Sequence, residues 1–319
     1  MDKIKQEKLM MMSKLAHMYY CQEMTQLEIA GKTYMSRSQV SKLLKEAKAT
    51  GVVQIIIRHN QSRCIYLEQA LKKKLGLKEA LVYECSNEYD EEVRNIIGHY
   101  AGTYIQEKIH DNMSIGITRG TIIASMVENI AAMETQNVTI VQLLGTEMKD
   151  ALDGSGQDLI FKMAGRLNAG SVFLNAPLYV KNDQAYDSLL RDPLIRRQMK
   201  MAEHVDLIIT GIKSLHLGST SHVWAGYVDD KTIGELVEKG AVGHIFGRAF
   251  DQNGNLIDHH LNRNIIAVPM ETVKRSNVVL LVYGKDRARA AVGAIKGGYV
   301  KTVITGDRCA KAMLELIDM

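Results

Sequence analysis

Cysteine is scarce in this chain. Its four copies, Cys21, Cys64, Cys85 and Cys309, show no Cys-x-x-Cys spacing, so neither a disulfide framework nor a zinc site is expected. Long apolar runs are missing as well. The longest, such as Val278 to Tyr283, are strand-sized and far short of the roughly 20 residues a membrane-spanning helix needs. The chain opens on a charged, Met-rich stretch without the apolar segment of a secretory signal, and together these absences point to a reducing cytoplasm. Neither GxxxxGK[ST] nor GxGxxG occurs, which counts against nucleotide triphosphates and dinucleotides. No compact motif joins His, Asp and Glu into an acid/base pair, and His259-His260 stands isolated, so no catalytic residue, metal or cofactor is expected.

What is present suggests two unequal domains, since 319 residues is about twice the usual single-domain length. Residues 1–60 hold ten Lys and Arg against five Asp and Glu, a balance of +5; the whole chain carries +4, so residues 61–319 sum to −1. A basic head on a near-neutral body suits a phosphate-binding module joined to a small-molecule domain.

Within the head, Leu9, Met12, Leu15, Ala16 and Tyr19 mark one face of a helix over residues 7–21. Thr25 with Glu28, and Ser36 with Gln39, are capping-box pairs that open a second helix through Leu27, Ile29 and Ala30 and a third running to about Ala49. The third buries Val40, Leu43, Leu44 and Ala47 and is stopped by Gly51. Ala30 lies ten residues before Val40, the spacing of a helix-turn-helix. The exposed side of the third helix is short, polar and basic. Arg37, Ser38, Ser41 and Lys42 are the expected base readers, with Ser36 and Gln39 beside them; Gln26 and Lys45 are placed for phosphate contacts. The β-branched stretch Val52 to Ile57 predicts a wing strand, and the head ends near Arg58. Residues 59–65 read as a linker, followed by a body over 66–319 that opens on a helix from Tyr66.

In the body, apolar strand-length runs alternate with helical segments, the pattern of a mostly parallel, Rossmann-like α/β sheet. Strands are expected at 80–83, 113–117, 139–143, 171–174, 207–210, 278–283 and 302–305, and helices at 91–109, 121–131, 157–168, 195–203, 287–296 and 307–317. Residues 247–258, centred on Asn253-Gly254, read as a β-hairpin. Ligands of such sheets bind where the strands end. The loop Gly116, Thr118, Arg119, Gly120, Thr121 has the composition of a phosphate cradle at a helix start. Gly284, Lys285 and Arg287 bring cations to another, Gly211 and Lys213 follow a third strand, and Asp251 offers a carboxylate to sugar hydroxyls.

The order of these segments resembles the SorC family of sugar-binding transcriptional regulators over nearly the whole chain. The resemblance rests on Tyr19-Tyr20, residues 26–30, 36–44 and 51–55 in the head. In the body it rests on Ile115-Gly116, Gly120-Thr121, residues 141–143, Ala176-Pro177, 240–245, Phe250-Asp251, Gly254, 291–299 and 305–310. It implies a winged helix-turn-helix on an effector domain of the sugar-phosphate isomerase type, assembled as a homo-oligomer, dimer or tetramer, with double-stranded operator DNA and a phosphorylated sugar as partners. By the same resemblance Gly116, Thr118, Gly120 and Thr121 hold phosphate, Asp251 meets a sugar hydroxyl, and Arg287 stands where the family usually has a phosphate-binding Lys.

Four positions depart from the pattern. Tyr34 takes a turn position commonly Gly, which predicts either a strained left-handed backbone or an altered turn. Arg119 stands where Trp is frequent, Lys213 interrupts a small-residue run, and Tyr283 replaces a Gly; the added cations suggest a more anionic ligand. Two other readings stand beside this one: a sugar-phosphate isomerase-like enzyme using Asp251 or a histidine as base, and an adaptor whose basic head binds protein.

Overall fold

A computed structural model describes residues 3–53, 62–85, 89–146, 156–215 and 228–318. The chain divides into two compact units at residues 60 and 61, and each is described by itself.

The first unit holds α1 (Lys3–Ala16), α2 (Gln26–Thr33) and α3 (Arg37–Ala49). After Ala16 the chain stays helical for five more residues, His17–Cys21, wound as a π turn. Both capping boxes form. Thr25 Oγ1 accepts from Glu28 N at 3.3 Å while Glu28 Oε2 accepts from Thr25 N at 2.8 Å. Ser36 Oγ accepts from Gln39 N at 3.2 Å and Gln39 Oε1 from Ser36 N at 2.8 Å. Each cap satisfies two otherwise orphaned N–H groups and contributes about 1 kcal/mol. The core is small: Leu15, Ala16, Met18, Ile29, Ala30, Val40 and Leu44, with Leu43 at its margin. Leu27, by contrast, points to solvent at 70% exposure. Between α2 and α3 the left-handed turn is kept despite the missing glycine: Tyr34 sits at φ 56°, ψ 33°, and its N–H donates to Ala30 O. A side chain in that conformation costs about 1–2 kcal/mol. The expected wing strand falls mainly on residues 54–57, outside the described residues.

The second unit begins with a correction. Ser62 to Cys64, expected to be linker, run antiparallel beside the first strand: Cys64 N donates to Val82 O at 2.7 Å and Glu84 N to Ser62 O at 3.0 Å. Arg63 then forks onto Glu68 at 2.8 and 2.6 Å, and Glu68 Oε1 also accepts from Val82 N at 3.0 Å. These bonds carry the chain directly into α4 (Ile65–Leu75), β1 (Glu79–Tyr83), α5 (Asp90–Lys108), β2 (Ser114–Ile117), α6 (Thr121–Asn129), β3 (Thr139–Gln142), α7 (Gly156–Arg166) and β4 (Gly170–Val172). Next come α8 (Asp183–Arg191), α9 (Pro193–Glu203), β5 (Leu207–Gly211), β6 (Lys213–Ser214), α10 (Asp230–Glu238), β7 (Gly243–Ile245) and β8 (Arg248–Phe250). The chain closes with α11 (His260–Arg263), α12 (Met270–Arg275), β9 (Val278–Val282), α13 (Ala288–Lys296), β10 (Thr302–Gly306) and α14 (Asp307–Asp318). Among the described residues no helix is long and apolar enough to cross a membrane.

Seven strands form one parallel sheet in the order β1-β10-β9-β5-β2-β3-β4. They correspond to the seven runs expected from sequence. The reason is visible in β9: Val278, Leu280 and Val282 enter the core on one face of the sheet, Val279 and Leu281 the core on the other. Burial on both faces demands a continuous apolar run. Helices α5, α6 and α7 cover the second face, and α4, α10, α12, α13 and α14 contribute to the first.

The expected hairpin about Asn253-Gly254 pairs Ala249 and Phe250 with Ile257 and Leu256, and the small antiparallel sheet β6-β7-β8 precedes it as an addition. Its hairpin turns at Phe246-Gly247, both at positive φ (50° and 74°), and joins β7 to β8. The Asn253-Gly254 turn comes one step later and is closed by a bridge between Phe250 and Leu256. Helices α8 and α10, not anticipated, are each opened by a side-chain cap, Asn182 on Ala185 N and Asp229 on Thr232 N.

Candidate functional site

In the first unit, α3 presents the expected polar face. Arg37, Ser38, Gln39, Lys42 and Lys45 are exposed, Ser41 is half-buried, and Val40, Leu44 and Ala47 lie inward. Ser36 Oγ and Ser38 Oγ are 2.9 Å apart, so the cap also orients Ser38, the second residue of the helix. Gln26 is the first residue of α2, half-buried where orphaned N–H groups favour a phosphate. Lys8 of α1 pairs with Glu46 of α3, which removes the acidic residue of α3 from competition with a polyanion.

The second unit has its topological switch between β2 and β5. From β2 the chain winds outward through β3 and β4, then returns to β5 on the other side and winds out through β9 and β10. Loops leaving β2 and β5 diverge there, which opens a crevice. The crevice is a cavity of about 30 Å³, lined by Thr118 and Arg119 after β2, Leu144, Thr210 to Lys213 at the end of β5, and His244 to Gly247 of the hairpin. Room of that size holds about one water. Thr118 N donates to Ile209 O at 3.2 Å and Thr118 Oγ1 to Thr210 Oγ1 at 3.2 Å, so the two strand ends are tied by their own hydroxyls. No carboxylate occurs among the described lining residues; the polar groups are Arg119, Lys213, His244 and the two threonines. His244 is held neutral, its pKa pushed down to about 3 by burial and then by the Lys213 ammonium facing it across β6 and β7.

The remaining expected site residues are placed elsewhere. Gly116 lies inside β2, where a Cβ would come within 2.6 Å of Leu143, so close packing accounts for its glycine. Gly120, at φ 136°, opens α6, which no side chain among the described residues caps. Thr121 Oγ1 lies 3.3 Å from Tyr283 Oη, so the loop after β2 touches the loop after β9. In that second loop Arg287 is folded back: its Nη1 donates to Tyr283 O at 2.8 Å, the guanidinium stacks 4.4 Å over the Tyr283 ring, and Asp286 is 3.4 Å away. Gly284 supplies the positive φ of 82° that this loop needs, and Lys285 is exposed.

Asp251 does not line the cavity. Its Oδ1 accepts from Asn253 N and Asn255 N, both at 2.9 Å, and Oδ2 from Asn255 Nδ2 at 3.0 Å. Burial pushes this carboxyl up, but the hydrogen bonds from Asn255, Asn253 and Gly254 outweigh it and keep the pKa below the ordinary aspartate value. His259 also holds its own backbone: Nδ1 accepts from Leu261 N at 3.2 Å, and Nε2 lies 3.2 Å from Glu235 Oε2.

Likeness to known proteins decides the family. The profile of the family described as "Putative sugar-binding domain" (Sugar-bind) matches residues 59–315. The chain belongs to this family. Among its relatives, a sorbitol operon regulator of Klebsiella pneumoniae is 26% identical over 315 residues, 95% of this chain and 96% of the relative. A deoxyribonucleoside regulator of Bacillus subtilis (strain 168) is 25% identical over 310 residues, 97% and 98% of the two chains. The crystal structure of the full-length Klebsiella pneumoniae sorbitol operon regulator has the same fold, with TM-score 0.73 at 24% identity over 97% of this chain and 99% of that one. A transcriptional regulator from Streptococcus pneumoniae TIGR4 reaches TM-score 0.75 at 21% identity over 80% of this chain and 98% of its own. All are named as regulators, not enzymes.

In this Sugar-bind protein the crevice contains residues that sequence reasoning did not single out: Thr210, His244 and Phe246. Thr210 ends a buried strand, where a hydroxyl among Leu207, Ile208 and Ile209 was the available signal. His244 and Phe246 carried no such signal, because His244 lies in a strand of three residues that pairs with residues about thirty positions earlier, and Phe246 in the turn that follows it.

Proposed function

We propose that this Sugar-bind protein is a DNA-binding transcriptional regulator of a carbohydrate-metabolism operon, controlled by a phosphorylated sugar in the crevice between β2 and β5. The head, residues 1–58, reads double-stranded operator DNA and is joined to a body, which begins with the Ser62–Cys64 pairing to β1 and takes the effector. It works in the cytoplasm as a homo-oligomer, which sets pairs of heads on pseudo-palindromic DNA.

The observation that carries this reading is the cavity's composition: two cationic side chains, two threonine hydroxyls, a neutral imidazole and no carboxylate among the described lining. Such a set favours an anion and disfavours a cation. A sugar phosphate exceeds the present room, so its entry must displace the lining. Phe246, at φ 50° in the hairpin turn, is the strained element there. Effector and DNA then favour different arrangements of the oligomer and alter each other's affinity reciprocally.

The test is a thermal-shift screen of the full chain against phosphorylated sugars and their unphosphorylated parents. A ligand that binds only the folded state raises Tm. A shift confined to phosphorylated compounds and lost in both Arg119→Ala and Lys213→Ala is expected. Equal shifts by parent and phosphate would remove the anion site, and stabilisation surviving both substitutions would move it elsewhere.

For the head, duplexes selected by the wild-type protein from a random-sequence library serve as ligands. Arg37→Ala should relax base preference at one position and cost about 1–3 kcal/mol on the preferred duplex, whereas Lys45→Ala should weaken binding to all duplexes alike and reduce the salt slope by about one. Wild-type behaviour in both variants would remove α3 as the reading helix.

A further inference from the structure

Tyr34 is the most exposed large hydrophobic side chain among the described residues, at 99%, and its backbone is left-handed. Neither property helps the fold. A glycine or asparagine accepts this turn at lower cost, and a phenol standing in water stabilises nothing. The other aromatic residue at positive φ makes the contrast: Phe246 is 2% exposed and packed in the core of the second unit, so burial offsets its strain. Nothing among the described residues offsets that of Tyr34.

Its position suggests what does. Tyr34 closes α2 and stands two residues before Ser36, the cap of α3, and three before Arg37. A reading helix that enters the major groove by its N-terminal end brings the preceding turn to the groove's rim, where the phosphates lie. The left-handed turn throws the side chain outward rather than back onto Ile29 or Val40.

We propose that Tyr34 is a backbone contact of the DNA-reading head, its hydroxyl donating to a phosphate oxygen at the rim of the groove that receives α3. The inference rests on the assignment of α3 as the reading helix. The contact positions the head and carries no base preference. It involves no cation, so it leaves the salt dependence of binding unchanged.

The experiment compares Tyr34→Phe, Tyr34→Gly and Arg37→Ala in the full chain, using the library-selected duplex and fluorescence anisotropy for affinity and urea unfolding for stability. Tyr34→Gly should raise the unfolding midpoint and yet weaken binding roughly tenfold, a pair of opposite effects that a purely structural residue does not produce. Tyr34→Phe should show the same loss of affinity with stability unchanged, and the ranking of duplexes and the salt slope should match wild type in both. If Arg37→Ala loses affinity while both Tyr34 variants bind as wild type, the phosphate contact is refuted and Tyr34 is free for a protein partner. Loss in the glycine variant alone would refute hydroxyl donation. If all three bind as wild type, or no duplex is selected, the reading of α3 fails and takes this proposal with it.

Discussion

Replacing Arg248 by methionine should destabilise the second unit by about 3 kcal/mol. Among the described residues the guanidinium of Arg248 has no carboxylate partner; it is held by four carbonyls, Val268 O at 3.1 Å, Ile265 O at 3.2 Å, and Phe246 O and Ala267 O at 3.4 Å. Burial draws its pKa down to about 10, still far above any working pH, so the group stays charged. Hydrogen bonds to a charged donor are worth about 1.5–3 kcal/mol each, and the two shorter ones dominate. Methionine keeps most of the volume and strands the acceptors, which isolates the polar contribution. Urea unfolding followed by circular dichroism is the measurement, with Arg248→Lys expected between wild type and Met because an ammonium cannot span all four oxygens. A loss below 1 kcal/mol would show that the carbonyls find other partners. Because Arg248 anchors the hairpin that carries His244 and Phe246 into the cavity, the Met variant should also blunt the stabilisation by phosphorylated sugars.

A second large effect is expected in pH. His244 has a folded pKa of about 3 against an ordinary value of 6.5, the shift arising from burial and then from Lys213. Between those two values the unfolded chain binds a proton at this position and the folded chain does not. Stability is therefore fully present above pH 6.5 and falls as the pH is lowered, by about 1.4 kcal/mol per unit for this one group. From pH 6.5 to 4.5 the wild type should lose on the order of 2–3 kcal/mol through His244, and His244→Gln should flatten that part of the curve. The depressed carboxyls of Asp251 and Asp307 act in a lower window, since their stabilisation is lost only as the pH falls below the ordinary aspartate value of 3.8. Equal slopes for wild type and variant between pH 7.5 and 4.5 would show that His244 is solvated rather than desolvated in the folded state.

The same residues show how far sequence reasoning reached. Both capping boxes were legible because a Thr or Ser and the Glu or Gln three positions later find each other through one helical turn, whatever surrounds them. The parallel strands were legible because burial on two faces leaves a run of Val, Ile and Leu that few other structures tolerate. Helices α8 and α10 carried a cap signal too, at Asn182 and Asp229, but their mixed polar composition hid the apolar stripe.

Site residues were harder to place. Asp251 was assigned to a sugar hydroxyl, although Asp251-Gln252-Asn253-Gly254-Asn255 is also the composition of a turn closed by its own aspartate, and the carboxylate bonds that turn. Arg287 was expected to meet phosphate and instead stacks on Tyr283. A charged side chain near a strand end looks alike in sequence whether it faces a ligand or folds back on its own loop.

The amino-acid sequence by itself determined the three helices of the head, the polar face of α3 and the order of strands and helices in the body, because each rests on contacts within a few residues or on burial that a strand must satisfy along its whole length. It also placed Thr118, Arg119, Gly211 and Lys213, which follow strand ends. Only the tertiary structure decided that these four share one crevice with Thr210, His244 and Phe246. The crevice exists because β2 and β5, some ninety residues apart, are neighbours at the point where the sheet's winding reverses, and because a short hairpin, tied by Arg248 to the carbonyls of Ile265, Ala267 and Val268, completes its wall. Neighbourhood of that kind is set by how the helices cover the two faces of the sheet, and no local pattern records it.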